Sequence, residues 1–281
     1  SSSGFLVDVH GKITNWGSQW RYGLPDRANL GGTVRTLDEA NGRIPLQPGV
    51  LSRHGFSAID DSSSMLFEED GWVESRRPGD RVDGYPFAYG TDYKESMKAF
   101  YEISGSQPML PRWALSNWWS RFYAYSADEY VNLMDQFANA DIPFSVAVLD
   151  MDWHYVHEQR VTSAGWTGYT WDHRLFPDPK GLCDKMHKRN LKVTLNDHPA
   201  DGVHAFEDIY RKMAKALGHD TSHKKPIHFD PTNRKFFDAF FGILHQSLED
   251  DGVDFWWIDW QQGRYSRVPG IDPLWLLNHF H

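Results

Sequence analysis

The chain changes its hydrophobic rhythm once. Up to about residue 104, apolar positions come in short alternating runs cut by turn signals: Asn41-Gly42, Gln47-Pro48-Gly49, Arg77-Pro78-Gly79-Asp80 and Val82-Asp83-Gly84-Tyr85-Pro86. This pattern predicts antiparallel β-structure. Tyr93, Met97, Phe100 and Tyr101 then recur at helical spacing between Asp92 and Ile103, before Ser104-Gly105-Ser106-Gln107-Pro108 breaks the pattern. The domain boundary falls there, giving units 1–104 and 105–281.

Beyond Pro111 apolar runs alternate with amphipathic ones. Trp113 to Trp119 reads as a strand, and Ser126 with Glu129 three residues later is a capping box that opens a helix. Phe144 to Trp153 is the next strand, followed by a long aromatic loop and a helix from Pro179 to Asn190. Leu191 to Asp197 is a third strand. A helix from about Thr232 to Glu249 carries an apolar stripe of Phe236, Phe237, Phe240, Phe241 and Leu244. Val253 to Ile258, rich in aromatic and β-branched residues, is the fourth strand. Strands alternating with helices imply a parallel sheet with right-handed crossovers. An eight-fold barrel takes about 250 residues, whereas about 170 follow Pro111 and end inside a helical pattern. The expected fold class is therefore α/β plus β, with the first half of a TIM (β/α)8 barrel, about four βα units, behind a β domain.

Three of these strands end in acids: Asp150 with Asp152, Asp197, and Asp259. Acids at the same end of parallel strands converge on one face, although each is also suited to capping the helix that follows it. Alternation in the fourth strand puts Phe255, Trp257 and Asp259 on one side. Indoles cover the apolar C–H faces of sugars and carboxylates accept their hydroxyls, so Asp259, ringed by Trp257 and Trp260, is the candidate catalytic nucleophile. It must be ionised to attack. Gln262 belongs to the loop beyond it, and Gln261 stays open as a hydrogen-bond donor.

Composition narrows the partners. With 281 residues and 40% hydrophobic content the chain builds a sizeable core. A net charge of −9, with 29 scattered Lys and Arg, argues against nucleic acid and suits a neutral polar ligand. No apolar run approaches the roughly 18 residues of a membrane span, and Ser1 to Phe5 lacks the basic start and apolar core of a signal peptide. Cys183 is the only cysteine, which excludes an intramolecular disulfide and a multi-cysteine zinc site and leaves the compartment open. A buried thiol is expected there in preference to a nucleophilic dyad with His187. His154, His157 and Glu158, like His219, His223 and His228, lack the helical His-x-x-x-His pattern with a third ligand, so no metal or cofactor is expected.

Along its whole length the chain resembles glycoside hydrolase family 31, the α-glucosidase and α-xylosidase family. The resemblance is carried by Asn29-Leu30-Gly31-Gly32-Thr33 and Leu51-Ser52-Arg53-His54-Gly55-Phe56 in the β domain. In the barrel it is carried by Ala114 to Arg121, Leu149-Asp150-Met151-Asp152-Trp153, and Asp254 to Gly263. It implies the C-terminal part of an N-terminal β-sandwich followed by the barrel, and hydrolysis of α-linked sugars with retention of configuration. The substrate would be an oligosaccharide or α-glucoside, with terminal α-linked glucose the first expectation and α-xylosidase or glucosyltransferase specificity, or an inactive fragment, the alternatives. By the same resemblance Asp259 is the nucleophile and Asp150 binds sugar hydroxyls. Asp197, Trp257, Trp119 and Arg121 are pocket residues. The family's acid/base aspartate lies in a Gly-Asp motif beyond the fourth strand, and the chain ends before it.

Overall fold

The computed structural model describes residues 4–7, 18–21, 25–37, 40–77, 79, 81–260, 262, 263 and 265–280. Pro78 and Asp80 of one expected turn, and Gln261, lie outside the described residues. The chain forms two compact units, residues 1–109 and 110–281.

The first unit is built from antiparallel pairs, as its turn-rich alternation predicts. β1 (Gly4–Val7) pairs with β2 (Ser18–Arg21), β3 (Ser57–Asp60) with β6 (Gly84–Phe87), and β4 (Leu66–Phe67) with β5 (Val73–Glu74). The Asn29 side chain ties its loops together, donating to the Gly49 carbonyl at 2.8 Å and accepting from the Gly31 and Gly49 amides at 2.8 and 2.9 Å. Glycines are needed at this knot: Gly31 has φ +83°, and a Cβ on Gly49 would lie 2.6 Å from the Gly31 carbonyl oxygen. Helix α1 (Tyr93–Ser104) follows, with its first turn capped by Asp92.

The second unit carries a parallel sheet in sequential order, β7 (Trp118–Trp119), β8 (Val146–Leu149), β9 (Lys192–Asp197) and β10 (Phe255–Ile258). The first strand is shorter than expected. Residues 112–115 form a 3-10 turn after Pro111, and the Trp113 carbonyl accepts from the Ser145 hydroxyl at 2.6 Å and from the Ser116 amide at 3.3 Å. Helices α2 (Ala127–Asn139), α3 (Pro179–His187) and α4 (Tyr210–Leu217) cross between strands. The capping box of α2 is present in full: Ser126 Oγ accepts from the Glu129 amide at 3.3 Å and the Glu129 carboxylate from the Ser126 amide at 2.8 Å. The crossover into β10 is α5 (Arg234–Ala239), a π turn (Phe240–His245) and α6 (Gln246–Glu249); α7 (Pro273–Phe280) follows β10.

Asp254, at the entry to β10, accepts from Lys192 Nζ at 2.6 Å, His187 Nε2 at 2.7 Å and the Val193 amide at 2.8 Å. Although burial pushes its carboxyl up, these partners together hold it below the usual carboxylate range. One acid thus sets β10 against β9 and against α3. Cys183 lies buried beneath Gly252, its thiol pushed up to about 12 by burial and by the Asp251 and Asp254 charges, which removes it from nucleophilic chemistry.

Each face of the sheet has its own filling. Ala147, Leu149, Val193, Leu195 and Trp256 pack into the core with Leu182, Met186, Met213, Phe240 and Leu244 of the helices. On the opposite face, Phe255 of β10 meets Trp118 of β7 edge-on at 5.3 Å and Trp113 at 5.1 Å. These contacts bridge the two outer strands, so the sheet is curled as part of a barrel wall.

Candidate active site

Strand register decides which side chains meet at the mouth. Phe255 pairs with Thr194, Trp257 with Asn196 and Ile258 with Asp197, and the Asp259 amide donates to the Asp197 carbonyl at 2.9 Å. Because side chains alternate along a strand, Phe255, Trp257 and Asp259 share a face with Thr194, Asn196 and then His198. Asp197, Leu195 and Trp256 point the other way, into the helix layer.

His198 meets Asp259 at the C-terminal edge of the sheet. Its Nε2 lies 3.4 Å from Asp259 Oδ2; the imidazole is 6% exposed and the carboxylate 37%. Neither imidazole nitrogen has a hydrogen-bond partner. Trp166 stands edge-on to the His198 ring at 5.1 Å and to Trp260 at 6.3 Å, so two exposed indoles border the carboxylate. Asp259 Oδ1 accepts from the Trp260 amide at 2.8 Å. Trp260 has φ +61° and Gln262 φ 56°, left-handed conformations that turn the chain sharply after the strand. The Gln262 side chain donates through Nε2 to the carbonyls of Asp259 and Trp260 and so braces the loop.

Asp150 follows β8 at the same edge, half-buried, and its Oδ1 accepts from the Met151 amide at 2.8 Å. Burial pushes its carboxyl up; the Met151 amide and His198 pull it down, and the Asp259 charge adds to the upward push. Asp150, His198 and Asp259 therefore sense one another across three adjacent strand ends. Asp152 is also pushed up, by burial and then by Asp150 and Asp172 against the opposing pull of His157.

The remaining expected pocket residues divide. Trp257, half-buried, lies on the Asp259 face. Asp197 is not brought to the mouth: its carboxylate, 1% exposed, receives His245 Nε2 at 2.9 Å from the π turn. Trp119 also faces the helices, packed on Phe137 at 4.7 Å and Phe144 at 6.1 Å, and its strand neighbour Trp118 takes the inner face instead. The reason is register, since Trp119 pairs with the core residue Ala147. Arg121 is exposed, with its guanidinium 4.8 Å above the Tyr123 ring. His154, 1% exposed, is pushed down to about 4 by burial, and its Nδ1 bonds the Tyr155 carbonyl at 3.1 Å. Among the described residues no three His, Cys, Asp or Glu side chains are grouped to hold a metal, and no helix is long and apolar enough to cross a membrane.

A curled parallel sheet with carboxylates and indoles at its C-terminal edge is part of a TIM-type barrel wall, with its polar groups at the end where such barrels carry their sites. The profile of the glycosyl hydrolases family 31 TIM-barrel domain matches residues 107–270, and the chain belongs to that family. It is 26% identical over 243 residues to an alpha-xylosidase of Saccharolobus solfataricus, covering 83% of this chain and 30% of that protein. An alpha-glucosidase of the same organism is 30% identical over 160 residues, covering 55% of this chain and 21% of that protein. The chain thus spans less than a third of either relative. A GH31 alpha-xylosidase from a soil metagenome, solved with xylose, superposes with a TM-score of 0.56 at 16% identity, over 82% of this chain and 36% of that one. At that identity the likeness speaks for the fold.

Proposed function

We propose that the protein carrying this chain is a retaining α-glycosidase and that Asp259 is its nucleophile. The supporting observation is the Asp259 carboxylate at the C-terminal end of β10, partly open to solvent and bordered by His198, Trp166 and Trp260. A carboxylate oxygen of Asp259 bonds to the anomeric carbon as the bond to the leaving oxygen breaks, and the electron pair departs with that oxygen. A second carboxyl group protonates it, then takes a proton from the water that cleaves the glycosyl ester. Retaining enzymes hold the two carboxyls about 5–5.5 Å apart. We assign the second one to polypeptide outside this chain. Asp150, half-buried at the same strand-end edge, accepts from hydroxyls of the sugar.

Terminal α-linked glucose is the substrate we assign, and the indole pair offers an apolar face to its C–H surface. α-Xylosides are the second reading, favoured by the alpha-xylosidase relative that aligns over most of the chain. The test uses the longer protein with both substrate types. Asp259→Ala should lower turnover of the preferred glycoside by about 10³-fold or more, and an unchanged rate would refute the assignment. The 281-residue chain assayed alone should show no turnover.

A further inference from the structure

We propose that His198 is the positioning residue of Asp259, its Nε2–H holding Oδ2 so that the carboxylate keeps one orientation toward the anomeric carbon. The proposal rests on the reading of Asp259 as nucleophile. Oδ1 is already held by the Trp260 amide at 2.8 Å, but that donor belongs to the adjoining peptide and fixes the group at one point. A carboxylate held at one oxygen still turns about its Cβ–Cγ bond. A second contact from a different strand removes that freedom, and His198 Nε2 is placed to make it at 3.4 Å.

The histidine is itself immobilised. Its carbonyl accepts from the Thr167 hydroxyl, its ring is covered by the edge of Trp166, and Pro199 follows at the start of a 3-10 turn closed by the Gly202 amide at 3.0 Å. One residue earlier, on the opposite face, Asp197 is fastened to His245. Both imidazole nitrogens are unpartnered, as are the Asn196 side-chain amide on the same face, the Thr194 hydroxyl and Asp197 Oδ1, but it is His198 Nε2 that lies beside the Asp259 carboxylate. Leaving a buried polar group unpaired is costly, and His198 Nε2 has a carboxylate oxygen within reach to relieve that cost. Catalytic hydrogen bonds are often long in the free enzyme and tighten when substrate closes the site, which is the change this pair is poised to make.

The test uses the longer protein and an α-glycosyl fluoride, whose leaving group needs little acid assistance, so that the first step reports on Asp259. His198→Ala should lower kcat about 100-fold while KM stays within about threefold, the pattern of a contact made in the transition state. His198→Gln, which restores an N–H donor, should recover to within about tenfold of the parent, whereas His198→Leu, of similar bulk, should not. A kcat within about twofold of the parent in His198→Ala, or equal rates for Gln and Leu, would overturn the proposal. If Ala fails to fold, the Gln and Leu comparison decides. Asp259→Ala with added azide separates the two readings. Loss of turnover restored by azide as the β-glycosyl azide upholds the nucleophile whatever His198 does, and undiminished turnover without azide means the nucleophile reading has failed.

Discussion

The carboxylate of Asp197 and the imidazole of His245 meet at 2.9 Å with each side chain 1% exposed. The same imidazole lies flat on Trp256, ring centroids 3.8 Å apart and planes at 10°. The pair joins the end of β9 to the crossover helix on the side away from the mouth, one residue before the histidine that faces Asp259. A buried pair of this kind adds little over an apolar pair, but removing one member strands the other without water. Asp197→Ala or His245→Ala should each destabilise the barrel unit by about 3 kcal/mol in urea unfolding, with the double variant far from additive. Additive losses would mean that the two groups do not depend on each other.

Glu207, 5% exposed, accepts from the Thr170 hydroxyl at 2.5 Å and is pushed up to about 7 by burial. A carboxyl raised in the fold contributes stability that is fully present below its ordinary value and is lost as pH rises through the folded value. Stability should therefore fall by about 1 kcal/mol between pH 6 and pH 8 from this residue. Glu207→Gln should flatten that limb in denaturant titrations at the two pH values, and a persistent decline would assign it to other groups.

Gly168 has no room for a side chain: a Cβ there would be driven into the buried imidazole of His154. His154 is locked by its bond to the Tyr155 carbonyl and by edge contact with Trp153 at 5.2 Å, so it has little freedom to yield. Gly168→Ala should cost about 1–3 kcal/mol by overpacking, read as a lowered urea midpoint at constant slope. An unaltered midpoint would show that the ring relaxes.

The strand ends were legible in the sequence because they need only a short apolar run and an acid at its end: Asp150, Asp197 and Asp259 all follow or close their strands. The faces were not. Whether an acid points to the mouth or to the helices depends on register between strands, and a shift of one residue reverses every side chain. This is why Asp197 and Trp119 turn to the helix layer and His198 and Trp118 take the inner side. The alternation that placed Asp259 beside Phe255 and Trp257, carried across to β9, is the signal that leads to His198. His245 is hidden in the sequence for a different reason. The 3.6-residue stripe of its helix runs through Phe236, Phe240 and Leu244, whereas the π turn brings residues five apart together, and His245 packs on Phe240 at 4.3 Å. The pattern of α4 is masked by the charges of Arg211, Lys212 and Lys215, although Gly218, with φ +67°, marks its end.

The central claim is that Asp259 bonds covalently to the sugar. A 5-fluoroglycosyl fluoride, which slows hydrolysis of the ester more than its formation, should inactivate the longer protein and leave one sugar per chain. Trypsin cleavage after Lys235 and Arg264 then isolates residues 236–264, and tandem mass spectrometry should place the sugar on Asp259. A label on Asp150, on any other carboxylate, or on none while the reagent is turned over would contradict the account.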